Sequence, residues 1–349
     1  MPIHHHITEF GGLPVVDFPS WEVLRGSEYP VRDDWAPPSP APALPAAGSA
    51  AWRLRTASSP QVWRGDEAGR VRLPHLETVA GYLDRFFAEV AVEEVTALIL
   101  ADLPGHDYDT HMDETVDVLL ERTGRLAGLR SLFVGEILPA ERSVSWIRKY
   151  DIAELVAALP RLRHLTVRGG ADGFGIGFGR HEHLEELVVQ SGGLDPDLLR
   201  RIVGLDLPAL RNLELWLGDE DYGGGATPDD LAPLLSGKAF PRLERLGVRN
   251  VRGLDDWVHA LADAPVLSGV RELDLSLGTL TDDGAQGIVD RAAAFAHLER
   301  LDLHHHFLSE EMCALVADAL PGVAVDLSDP REPEDEDEDE LFYYCAVSE

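Results

Sequence analysis

Histidine is the residue type whose clustering most invites chemistry in this chain. Its 14 histidines include the runs His4-His5-His6 and His304-His305-His306, and the pair His181 and His183. In an extended stretch His304 and His306 project to one side and His305 to the other. With Asp302 and Asp274 nearby in the repeat pattern described below, His304 and His306 have the donor types for a divalent cation. The favoured reading is blander: a polar strand end whose imidazoles bond neighbouring backbone. The stretch Asp102–Asp113 carries His106, Asp107, Asp109, His111 and Asp113. It lacks the Gly and Glu that an EF-hand loop places at its sixth and twelfth positions.

Other chemistry is weaker still. The run from Gly169 to Gly179 follows an apolar stretch, as phosphate loops do. It has no Lys-Ser/Thr ending, and no helix follows whose N-terminus would hold an anion. It reads as a compact loop. No Ser–His–Asp or Cys–His set stands out from the general supply of such residues. The expectation is therefore no catalytic residue, no cofactor and no resident metal.

What must position these residues is a repeat. Leu298-Glu299-Arg300-Leu301-Asp302-Leu303 has leucines at relative positions 0, 3 and 5. The same spacing recurs at Val95/Leu98/Leu100, Leu129/Leu132/Val134, Leu162/Leu165/Val167, Leu184/Leu187/Val189, Leu210/Leu213/Leu215, Leu243/Leu246/Val248 and Val270/Leu273/Leu275. Middle leucines at 98, 132, 165, 187, 213, 246, 273 and 301 are separated by 34, 33, 22, 26, 33, 27 and 28 residues. That is the strand half of a leucine-rich repeat. A ninth, shortened strand is expected at Val323–Leu327. Capping signals precede helices between the strands: Asp195-Pro196-Asp197, Thr227-Pro228-Asp229-Asp230, Thr281-Asp282-Asp283 and Ser309-Glu310-Glu311. The predicted fold is α/β: a leucine-rich-repeat solenoid, an arc of the ribonuclease-inhibitor-like kind, with a parallel inner β-sheet, outer helices and a non-repeat N-terminal cap.

Residues 1–92 form that head, with strands predicted at 13–18 and 51–55 and an amphipathic helix from Leu76 to Val90. A Pro/Ala-rich exposed loop occupies 36–48. The repeats fill 93–328, 329–340 is an acidic loop, and 341–349 is read as a strand that pairs with the last repeat and covers the sheet edge.

The net charge of −32 narrows the partners. Glu332 and Glu334–Glu340 contribute eight acidic residues, and without them the chain still stands at about −24. Such a surface repels phosphate backbones and anionic lipid. A protein or peptide partner is expected, a basic one by preference, with no nucleic acid and no membrane. No stretch of about 18 apolar residues is present. Two cysteines without metal or redox spacing, Cys313 (expected in the core) and Cys345, and no signal-peptide pattern point to the cytoplasm.

Strand alternation turns the repeats into a surface map, with leucines inward and their neighbours facing the concave side. One row reads Ala97, Ser131, His164, Glu186, Asn212, Arg245, Glu272 and Arg300. The next reads Ile99, Phe133, Thr166, Val188, Glu214, Gly247, Asp274 and Asp302. The third reads Ala101, Gly135, Arg168, Gln190, Trp216, Arg249, Ser276 and His304. The apolar beginning calls for a cover, which the head is expected to supply. The polar remainder, Arg168, Gln190, Glu214, Trp216, Arg249, Asp274, Ser276, Asp302 and His304, is the predicted binding surface. Trp216 is either an exposed anchor there or packed on the Asp219–Gly225 loop.

Several segments together resemble a bacterial family of leucine-rich-repeat proteins of unassigned function. They are His4–Phe10, Ser145-Trp146-Ile147, Val167–Gly170, Leu213–Gly218 with Tyr222-Gly223-Gly224, Leu273–Leu280, Leu301–Ser309 and Ala346–Glu349. The resemblance spans nearly the whole chain and is faintest near 36–48. It brings no catalytic residue. Genes of that family lie beside genes resembling radical-SAM, hydrolase and ATP-grasp-like enzymes, which implies an accessory or substrate-presenting role. The expected function is thus a non-catalytic scaffold. The alternative is a metal-dependent enzyme or subunit using the His/Asp cluster of the last repeats.

Overall fold

The computed structural model of the chain describes residues 4–25, 42–55, 61–63, 70–72, 77–103, 112–147, 150–170, 174–337 and 340–347. The histidines and aspartates at 106–111 and part of the Pro/Ala-rich segment lie outside them. The fold is mixed α/β, with a mostly parallel sheet whose strands follow one another in chain order. Two compact units divide the chain: Met1–Arg142 with Glu154–Leu162, and Ser143–Ala153 with Arg163–Glu349.

In the first unit, strand Glu9–Phe10 turns back antiparallel on Leu13–Phe18. Leu13–Phe18, Ala51–Leu54, Ala97–Leu100 and Ser131–Val134 then run parallel side by side. The boundary expected at residue 92 therefore falls inside this unit, because the head's two strands join the sheet of the first repeats. The reason is apolar burial. Ala97, Ile99 and Phe133 would face water, and Ile7, Phe10, Leu13 and Val15 pack against them. Helix Val79–Glu89 starts at Thr78, whose hydroxyl accepts from the Gly81 N–H, and buries Val79, Tyr82, Leu83, Phe86 and Phe87.

Among the described residues of the second unit, His164–Arg168, Glu186–Gln190, Asn212–Gly218, Arg245–Val251, Glu272–Asp274, Arg300–Asp302 and Ala324–Asp326 run parallel side by side. The last is the expected shortened ninth strand. The inward apolar pairs, from Leu165 and Val167 to Leu301 and Leu303, are at most 1% exposed. Burying one such side chain contributes roughly 1.5–3 kcal/mol. This repeated pair is what holds each strand to its neighbour's register. Three of the four expected caps accept as predicted: Asp195 from the amides of Asp197 and Leu198, Thr281 from Asp283, and Ser309 from Met312.

Three local expectations change. The acidic segment contains a strand, Glu334–Asp337, paired antiparallel with Glu340–Phe342. That second strand therefore pairs away from the repeat sheet, and Tyr343–Val347 is not a strand at all. Cys313 is half-buried rather than in the core.

Candidate functional site

Strand register brings the predicted residues of the second unit into rows. Glu186 sits across from His164 and Asn212, Asn212 from Arg245, Arg245 from Glu272, and Glu272 from Arg300. Glu214, Gly247, Asp274 and Asp302 form the next row, and Trp216 faces Arg249 in the third.

The third row is not an open surface. Trp216 is 1% exposed and Arg249 4%. Neighbouring parallel strands lie about 4.8 Å apart, so a long side chain on one covers a flat ring on the next. The Arg249 Cζ lies 5.2 Å from the Trp216 ring centroid. Trp216 Nε1 donates to Glu214 Oε1 at 2.6 Å. Arg249 donates from Nη1 to the same oxygen at 2.9 Å and from Nε to Ser276 Oγ at 2.9 Å, with Asp274 Oδ2 3.2 Å from Nε. Ser276 in turn donates its hydroxyl and its amide to Asp274 Oδ1. Arg168 Nε donates to Gln190 Oε1 at 2.9 Å, and both residues are buried. The exposed-anchor reading of Trp216 is thus corrected. Arg168 bonds Gln190 and Arg249 bonds Glu214 and Ser276 laterally, with Trp216 stacked against Arg249, so these residues build the face rather than protrude from it.

The histidine cluster also separates. His304 Nδ1 is 2.7 Å from Asp302 Oδ1, which also accepts the His304 amide. His305 then adopts a positive φ of 60°, breaking the alternation that would have set His306 beside His304. His306 is fully buried and both ring nitrogens serve backbone: Nε2 lies 3.0 Å from Leu327 O and Nδ1 accepts from the Leu308 amide. His304, His306, Asp302 and Asp274 therefore do not converge on one point. Among the described residues no three His, Cys, Asp or Glu side chains gather to hold a metal.

What does open on this face is a cavity of about 190 Å³. Gly247 forms its floor, with Glu214, Arg245, Glu272, Asp274, Arg300 and Asp302 around it. Gly247 contributes only backbone to the lining. A Cβ there would stand 3.1 Å from Glu214 Cγ and 3.4 Å from Arg249 Cδ. In sequence Gly247 lies in the row of Glu214, Asp274 and Asp302, but it is absent from the predicted binding surface. The overlooked signal is a glycine between two acids in one lateral row.

The cavity's acids are tuned in opposite senses. Burial raises the Asp274 carboxyl, and Arg249 only partly offsets it. Burial acts the same way on Asp302, yet bonds from the His304 ring, Arg300 and the His304 amide outweigh it and hold that carboxyl well below the usual range. Arg300 bridges Asp302 at 2.8 Å and Asp326 at 3.0 Å, and Arg245 pairs with Glu272 at 3.2 Å. The lining has four carboxylates against two guanidiniums.

Chain-ordered parallel strands with apolar pairs inward and a laterally bonded polar face define a mixed α/β repeat protein. No family model matches the chain, and no curated protein matches it. Among solved structures it is similar to a Bacteroides fragilis protein from a structural genomics consortium. The identity is 28%, over 72% of this chain and 70% of that one, at a TM-score of 0.68. That likeness shows a shared fold. Leucine-rich-repeat proteins are also among the structural matches. An internalin of Listeria monocytogenes has 11% identity over 80% and 74% of the two chains at a TM-score of 0.30. A leucine-rich-repeat protein of Leptospira interrogans has 12% over 67% and 90% at 0.20. At those scores neither carries an argument about this chain. Among the described residues no helix is long and apolar enough to cross a membrane.

Proposed function

We propose that the chain is a leucine-rich-repeat solenoid that acts as a non-catalytic scaffold, binding a basic segment of a protein or peptide partner on the sheet face of its second unit. The observation that carries this reading is the Gly247 cavity with its excess of carboxylates. It exceeds the roughly 150 Å³ cavity known to admit a benzene ring, so it accommodates the end of a lysine or arginine side chain. A cation there relieves the cost of ionising Asp274, the acid that burial pushes up. The net charge of −32 adds a long-range field that draws basic partners and repels nucleic acid. An accessory role beside a modifying or biosynthetic enzyme is consistent with such a surface.

Calorimetric titration with short peptides differing only in one central residue tests this. Lys- and Arg-centred peptides are expected to bind, and Glu-centred ones not. Gly247→Val fills the cavity and is expected to abolish the preference while the fold persists. Equal binding of basic and acidic peptides would sink the reading.

A further inference from the structure

The last four repeat-strand ends of the second unit share a backbone feature that the repeat leucines do not explain. Asn250, Leu277, His305 and Asp329 all have positive φ, between 50° and 68°. Each lies two residues beyond the last apolar position of its repeat: Val248, Leu275, Leu303 and Leu327. Non-glycine residues in this region are uncommon, so their recurrence at one repeat position marks a built row of corners. The first three of these corners are engaged by a single segment, Tyr343–Val347. The His305 ring lies with Nε2 3.3 Å from Tyr344 O. Ala346 donates its amide to Leu277 O at 2.9 Å. Val347 donates its amide to Asn250 Oδ1 at 2.9 Å, and Asn250 Nδ2 donates back to Val347 O at 2.5 Å.

The spacing is that of an extended chain laid across the strands. Two inter-strand steps of about 4.8 Å match about three residues of extended backbone, which is the advance from Tyr344 to Val347. All these bonds reach main-chain atoms of the segment, so they read a peptide backbone without regard to sequence. Side-chain selection is confined to alternate positions: Cys345 and Val347 are 6% exposed, whereas Tyr344 is 38% exposed. Asn250 is itself fully buried, with its amide committed to Val347 and Ser191 O. An asparagine that pairs with both the N–H and the C=O of one residue is a device for holding extended peptide.

We propose that these left-handed corners form a peptide-binding groove that takes an extended segment with small apolar side chains at two alternate positions, and that Tyr343–Val347 is its built-in, displaceable occupant. The strand pair that precedes the occupant includes the acidic strand Glu334–Asp337, whose like charges repel one another and ease its release. This groove uses residues different from those of the Gly247 cavity, and its test is independent of that reading.

The probe is a labelled peptide copying residues 343–349, kept reduced. Ala346→Pro in the full chain removes the N–H that bonds Leu277 and loosens the internal occupant. The peptide is expected to bind this variant at least tenfold more tightly than the unaltered chain by fluorescence anisotropy. A control peptide with Asp at the Cys345 and Val347 positions should not bind, and adding Asn250→Ala should remove binding again. Equal affinity for variant and unaltered chain, or for probe and control, overturns the proposal. A second measurement needs no variant. Excess unlabelled peptide, with its cysteine replaced by alanine, should speed alkylation of Cys345 in the unaltered chain several-fold by displacing the segment. An unchanged rate overturns the proposal as well.

Discussion

Arg249 lies over the Trp216 ring, its Cζ 5.2 Å from the centroid, and both donate to one oxygen of Glu214. Two side chains that looked like free recognition groups thereby become a joint between neighbouring strands. Because Arg249 also faces Asp274, its removal leaves two carboxylates without their cation. Arg249→Ala is expected to cost roughly 2–4 kcal/mol in urea unfolding. Arg249→Lys should recover only part of that, since an ammonium lacks the planar fork that spans Glu214, Ser276 and the ring. An Arg249→Ala variant as stable as the unaltered chain would show that the joint contributes nothing.

His6 ties the head to the first unit's repeats. Its Nδ1 is 2.9 Å from the buried Glu136 and its Nε2 3.3 Å from Glu141, with Arg53, Arg55 and Asp17 in the same network. The bond to Glu136, then that to Glu141, raises the His6 pKa above 6.5 despite its burial. A raised pKa means that the charged form is the stabilised one. The contribution is complete below the unfolded value and fades as pH rises through the native value. His6→Gln should therefore flatten the fall of stability that sets in as pH rises above the ordinary histidine value of 6.5. An NMR titration placing the His6 transition at or below the ordinary value would contradict this.

Cys345 and Cys313 should differ in reactivity. Burial, then the nearby Asp219, pushes the Cys345 thiol up to about 12. The half-buried Cys313 is raised as well, again first by burial. Since the thiolate is the reacting form, native protein at about pH 8 should label at Cys313 first, and at Cys345 more slowly, as the Tyr343–Val347 segment opens. Mass spectrometry of iodoacetamide-treated protein checks the order.

Gly218 and Gly253 separate two costs of a positive φ. Both have φ of 72°. A Cβ on Gly218 would sit 1.9 Å from Gly192 O, whereas one on Gly253 meets no heavy atom within 4 Å. Gly253→Ala should cost about 1 kcal/mol, from backbone strain alone. Gly218→Ala should cost about 3 kcal/mol or more, because two backbones must part. Similar denaturation midpoints for the two variants would contradict the close approach.

Much of the architecture was legible because it depends on local periodicity. Apolar residues two apart, at positions 3 and 5, share a face in an extended stretch, so Leu213 and Leu215, or Leu301 and Leu303, announce their own orientation. The caps at Asp195, Thr281 and Ser309 are equally local, each satisfying amides two or three residues away. The lateral rows also followed, since equal spacing in parallel strands sets equal register.

Tertiary structure decided what those rows expose. Whether Trp216 meets water depends on Arg249, 33 positions away, and no periodicity carries that relation. The fate of His306 turns on the positive φ at His305 and on Leu327 O, so alternation misplaced it. Gly247 contributes by lacking a side chain, and a void becomes a cavity only when Glu214, Asp274 and Asp302 wall it. The course of Tyr343–Val347 across the strand ends rests on Asn250, 97 residues earlier. Sequence alone thus set which residues lie inward, because burial follows a local period. Which outward residues pair, stack or stand open depends on contacts between strands, and these exist only in the folded chain.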